Sequence, residues 1–229
     1  MKIKMNSKIS LSVFLLVITL ISCKQEKVFS DYKYADKPAV FNCEGVNSKL
    51  LNEALYSFED DILKHYKGDK QNFRLDQAYS QLIRNSVFGR LKLEDMVSKH
   101  SVEIFEVLKN DNSLWEVNNP KSYLNYNSTT LKCISKNIND TALKTTFDAL
   151  VATNSMDSKL FGAPLISKYR NTTKDKNLAM YVALDLYYAK MIDLDFSKVN
   201  LNKPEQKVDF NQLPAIEKQE VDPHAGHDH

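Results

Sequence analysis

The sequence predicts an all-α fold: a single bundle of six or seven helices, entered through a flexible N-terminal tether and followed by an irregular C-terminal tail. Three observations carry this. Apolar residues recur at three- and four-residue spacing in one segment after another between Asn47 and Leu194, the period of a helix with a buried face. No stretch alternates apolar and polar residues between turn signals, as half-buried strands would. The chain holds five glycines in 229 residues, few for a domain that reverses direction through tight β-turns.

The elements follow in order. Residues 23–42 read as a tether, charged at first and punctuated by Pro38, with Tyr32, Tyr34 and Phe41 able to dock on a domain edge. The helical domain covers residues 43–196. Asn47 is a candidate N-cap, Leu51, Leu55, Phe58 and Ile62 form the first face, and Gly68 ends that helix. A second helix runs from Leu75 to Phe88. A third spans Leu93 to about Lys109, before the turn chemistry of Asn110-Asp111-Asn112-Ser113. Residues 114–127 read as irregular, with aromatic side chains that could form a ligand or partner surface. Leu131, Ile134 and Ile138 mark a short helix carrying Cys133, and Asp140 or Thr141 starts the next. Residues 158–170 form another turn or two around Gly162 and Pro164. The longest helix runs from about Lys174 to Leu194 with apolar residues on two faces, so it is expected at the centre. Residues 197–229 are an extended, partly disordered tail with three prolines and a histidine-rich end.

The first residues are of a different kind. Lys2, Lys4 and Lys8 precede an apolar stretch of 13 residues, Ile9 to Ile21, interrupted only by Ser10, Ser12 and Thr19. A membrane-spanning helix needs about 20 apolar residues, so this one fits a secretory signal instead. It ends in Leu20-Ile21-Ser22-Cys23, which resembles the lipobox of bacterial lipoproteins.

The resemblance covers this segment alone, and it implies a signal peptide of residues 1–22, cleavage before Cys23 and a membrane partner reached through lipid on Cys23. It also implies a place in the bacterial cell envelope. Lys24 stands where an aspartate would resemble the retention signal of inner-membrane lipoproteins, which favours the outer membrane. Removing the signal takes three of the 31 basic residues and leaves 28 against 29 acidic ones, a net −1. The precursor's pI near 8.2 is therefore no argument for nucleic-acid binding. With Cys23 lipidated, Cys43 and Cys133 remain, and an oxidising compartment permits one disulfide between them. Two buried thiols are the alternative.

No catalytic motif is present: neither GxGxxG nor GxxxxGK[ST] occurs, and no serine or cysteine sits in a nucleophile motif. The sequence therefore predicts a non-enzymatic binding module acting on an envelope protein or small ligand. The alternative is metal handling by His224, His227 and His229, three of five histidines gathered in the last six residues. Imidazoles on a flexible tail suit capture of Zn²⁺, Cu²⁺ or Ni²⁺ rather than a rigid site.

Other polar residues have blander readings. Asp61 and His65, four apart on one helix face, read as a surface pair. His100 has only Glu103 nearby in sequence. Glu59-Asp60-Asp61 fan through roughly 200° of a helix and read as a solvated face. Asp185 falls on the buried face of the last helix and needs a partner, for which Arg74, Arg84, Arg90 or Arg170 is available. Asp140-Thr141-Ala142 resembles the short O-glycosylation motif of Bacteroidota envelope proteins, but the same residues make a good helix start, the preferred reading.

Overall fold

In the computed structural model, which describes residues 29–119 and 121–201, eight α-helices follow one another. The all-α expectation holds: among the described residues the only β pairing is an isolated antiparallel bridge between Trp115 and Leu124. The helices are α1 (Ser48–Lys67), α2 (Leu75–Val87), α3 (Lys99–Leu108), α4 (Thr129–Asn137), α5 (Thr141–Ala152), α6 (Ser158–Ser167), α7 (Tyr169–Lys174) and α8 (Lys176–Ala183). Six of them begin on a side-chain cap. Asn47, Ser98, Ser128, Asp140, Asp157 and Asp175 each accept a hydrogen bond from a first-turn backbone N–H, worth about 1 kcal/mol apiece.

The centre is α8 and its continuation, where every residue from Leu178 to Ala189 is buried. The expected single long helix changes pitch here. After Ala183 the chain passes through a π-helical turn, Leu184–Tyr188, and then a 3₁₀ segment, Ala189–Asp193. A π turn widens the helix by one residue and redirects the side chains it carries. Here it carries Asp185, Tyr187 and Tyr188, all bonded to other elements. Helices α1, α4 and α7 pack on α8, and α2 packs on α1, α6 and α7. Other departures from the sequence reading are local. The third helix starts only at Lys99, because Ser98 caps it; Leu93, Met96 and Val97 are buried through the preceding turn instead. Residues 158–174 make two helices rather than a turn or two.

The tether needs a larger correction. The compact unit begins at Asp31, and residues 31–42 form a strap laid over the first half of α1. Glu53 accepts the N–H groups of Lys33 at 2.7 Å and Tyr34 at 3.1 Å. Asn52 Oδ1 accepts those of Val40 and Phe41 at 2.9 and 3.0 Å. Tyr34 donates to Asp60, and Tyr56 to the carbonyl of Pro38. Four backbone N–H groups of this irregular segment are thus satisfied by side chains of α1, and Phe41 is buried beneath it. At the other end the packed body extends past Phe196, whose ring lies 6.0 Å from that of Phe105, to the buried Val199.

The strap ends at Cys43, which the structure joins to Cys133 of α4, with Cα atoms 6.2 Å apart across a sequence separation of 90. That spacing lies within the range a disulfide spans. Closing so long a loop stabilises the fold by roughly 4–5 kcal/mol in the chain-entropy model. Reduction, or a Cys43→Ser, Cys133→Ser double substitution, is expected to lower the urea midpoint of unfolding by a corresponding amount. Two freely alkylated thiols in the native, unreduced protein would contradict it.

One glycine sets a close approach. A Cβ on Gly162 of α6 would stand 2.2 Å from Cγ2 of Val87, the last residue of α2. Gly162→Ala should cost about 1–3 kcal/mol through overpacking, against the ~1 kcal/mol that alanine usually gains in a helix. Pairing it with Val87→Ala should recover most of the loss, a cycle readable by chemical denaturation.

Candidate functional site

Among the polar residues that enter the core, the ionisable side chains considered as a site fall at three places. The first is α1, which is buried on every face from Glu53 to Glu59. Glu59 accepts hydrogen bonds from Tyr79 of α2 at 2.9 Å and from Lys176 of α8 at 2.7 Å. Asp61 accepts from the Ser98 N–H at 2.9 Å and from the Tyr187 hydroxyl. The solvated face expected for Glu59-Asp60-Asp61 is therefore found only at Asp60, which pairs with Lys64 at 2.7 Å. Nor does Asp61 pair with His65; its carboxylate is turned inward, and the His65 ring lies edge-on to Tyr66.

The second place is Asp185, 2 % exposed. No arginine reaches it. Hydroxyl groups do: Ser122 Oγ at 2.6 Å, Tyr181 at 3.0 Å and Tyr126 at 3.3 Å. Residues 114–127, expected as a possible aromatic contact surface, instead turn Trp115 and Tyr126 inward, and the Trp115 indole N–H donates to the Leu108 carbonyl. Three hydroxyl donors can serve a carboxyl group in either protonation state, and Lys190 adds a longer-range electrostatic effect.

The third place is His100, in the first turn of α3 and 3 % exposed. Its Nε2 lies 2.7 Å from Glu53 Oε1, and its Nδ1 lies 3.9 Å from Asp31 Oδ2 of the strap. With Glu103 one helical turn on, Asp31 and His100 offer one nitrogen and two carboxylate oxygens, all within 4.8 Å of one another. Sequence reasoning paired His100 with Glu103 alone. Glu53 and Asp31 are far away along the chain, and only the packing of strap, α1 and α3 brings them in.

A cleft of about 310 Å³ opens beside this cluster, between the strap and the start of α1. Tyr32, Tyr34, Lys37 and Lys49 line it. Lys49 Nζ stands 3.9 Å from the centre of the Tyr32 ring, and Lys37 Nζ 5.1 and 4.8 Å from those of Tyr34 and Tyr56. Partial burial lowers the Lys37 pKa from its ordinary value, an effect its acidic neighbours Glu59 and Asp60 oppose.

At the start of α5, Asp140 is the N-cap, held also by Lys168 and Asn171, while Thr141 is exposed. Cys23 and the tail histidines His224, His227 and His229 lie outside the described residues. No described helix is long and apolar enough to cross a membrane. The chain matches no family model, no curated protein and no solved structure.

Burial raises the carboxyl pKa of both Asp61 and Asp185 above the usual 3.8, against the lowering effect of their hydrogen bonds and, for Asp185, of the Lys190 charge. A carboxyl raised in the folded state binds more protons there than in the unfolded chain. Its contribution is thus fully present below pH 3.8 and lost as pH rises through the folded value. Asp185→Asn is expected to abolish that component. The stability difference between wild type and variant should move in the variant's favour as pH rises from 4 to 7. Denaturation midpoints across that range measure it, and a pH-independent difference would contradict it.

Proposed function

We propose that this chain is a bacterial envelope lipoprotein, anchored through lipid on Cys23, whose helical domain is a binding module working close to the membrane. The observation that carries the reading is the strap. Asp31 stands eight positions after Cys23, a span that fully extended reaches at most about 28 Å. The segment leading from the anchor is itself one wall of the cleft, so whatever occupies that cleft is met near the lipid surface. Rings flanked by lysine ammonium groups suit an amphipathic partner, a small ligand or a segment of another envelope protein, that offers an apolar face and an anionic group. Two or more acyl chains suffice for stable anchoring, and the lipobox is the sequence support for them.

Metal handling by the terminal histidines is the second reading. It rests on the clustering of three imidazoles in six residues and concerns a different part of the chain.

Cys23→Ser in the precursor should abolish fatty-acid labelling and shift the protein from the membrane to the soluble fraction. Retention in the membrane with undiminished labelling would refute the anchor. A photo-crosslinking residue in place of Tyr32 should give a discrete adduct in intact envelope, lost when Lys37→Glu and Lys49→Glu are added. An unchanged adduct would remove the cleft from the proposal.

A further inference from the structure

We infer that Asp31, His100 and Glu103 form a binding site for a divalent transition-metal ion that joins the strap to α3. This stands apart from both the anchor and the histidine tail.

The ring of His100 is oriented from behind. Glu53 Oε1 already accepts the Lys33 N–H at 2.7 Å, so it acts as an acceptor toward His100 Nε2 as well, at the same distance. The proton is thereby assigned to Nε2, and Nδ1, itself buried, is the nitrogen that faces Asp31 and Glu103. A carboxylate behind one ring nitrogen and a cation before the other is the recurrent arrangement at metal-ligating histidines; it fixes the tautomer and raises ligand basicity. Glu53 is held in turn by two strap N–H groups and is 2 % exposed, so the backing carboxylate is rigid.

The two oxygen ligands can adjust. Asp31 is 67 % exposed, and Glu103 is 42 % exposed with a loose 3.8 Å contact to Lys99. Donor atoms round a tetrahedral Zn²⁺ stand roughly 3.3 Å apart for bond lengths near 2.0–2.1 Å. Closing from 4.8 Å to that spacing asks for small rotations of two surface side chains. One imidazole and two carboxylates leave a fourth position for water, and this ligand set suits Zn²⁺, Ni²⁺ or Mn²⁺ rather than a thiophilic ion. His100 and Glu103 lie one turn apart on α3, whereas Asp31 belongs to the strap, so the ion would bridge two elements.

The test uses the mature chain with Cys23→Ser, and with His224→Ala, His227→Ala and His229→Ala to silence the tail. Two histidines, His65 and His100, then remain. Titration with Zn²⁺ should give one site by calorimetry, and ¹H–¹⁵N spectra should show the His100 ring shifting while His65 does not. Asp31→Asn with Glu103→Gln should weaken binding at least tenfold, with the helical circular dichroism unchanged. Zn²⁺ should also slow amide exchange at residues 32–34. A shift of the His65 ring alone, no shift of either ring, or equal affinity in the double variant would overturn the site. The ring spectra of the parent chain decide the matter even if a variant fails to fold.

Discussion

The structure depends on the burial of three carboxylates along one helix. Glu53, Glu59 and Asp61 all point away from water on α1, and a buried charge without partners would cost several kcal/mol. Each is satisfied by a different set of elements. Glu53 collects the strap and α3, Glu59 collects α2 and α8, and Asp61 collects the α3 cap and the π turn. The helix therefore acts as a spine whose acids specify which neighbour packs where. Apolar contacts favour burial without direction; these acids supply the direction. Removing one donor, such as the Tyr79 hydroxyl, would leave the opposite carboxylate in place and under-solvated, the more damaging half of such a pair to lose.

The π turn belongs to the same arrangement. Tyr187 reaches Asp61, and Tyr188 donates to the Ala54 carbonyl at 2.9 Å, two adjacent residues bonded to the same helix. Asp185, in the same turn, looks instead toward Ser122, Tyr126 and Tyr181. A regular α-helix turns about 100° per residue. The widened turn relaxes that constraint and lets hydroxyls of both tyrosines meet acceptors on α1. Burial holds the pKa values of Tyr79, Tyr181, Tyr187 and Tyr188 well above the ordinary 10.0, which keeps these hydroxyls as donors.

The helices were legible because their information is local: apolar period, caps such as Asn47 and Asp140, and the breaking residue Gly68 lie within a few positions of the segment they define. What was not legible is set by partners distant in sequence. Glu59 and Asp61 read as solvated because nothing near them announces that α2, α3 and α8 cover those faces. The strap read as a tether because its hydrogen-bond acceptors, Asn52 and Glu53, belong to another segment and carry no motif. His100 looked isolated for the same reason, its strongest partner being 47 residues earlier. The partners of Asp185 are hidden by chemistry as well as by distance, Ser122 and Tyr126 lying 63 and 59 residues earlier. A buried carboxyl does not demand an arginine, because hydroxyl groups can serve it.

The strap and its closing disulfide also have a mechanical meaning. Tension applied from the N-terminal side would meet residues 31–42 first, and the contacts of Lys33 and Tyr34 with Glu53 stand ahead of those of Val40 and Phe41 with Asn52. Twelve residues so released add at most about 40 Å of reach. At Cys43 the covalent link to Cys133 shares the load between α1, which starts five residues on, and α4, which packs on the central α8. Residues 31–42 are thus a leash of fixed length, ended by a covalent link rather than by a helix.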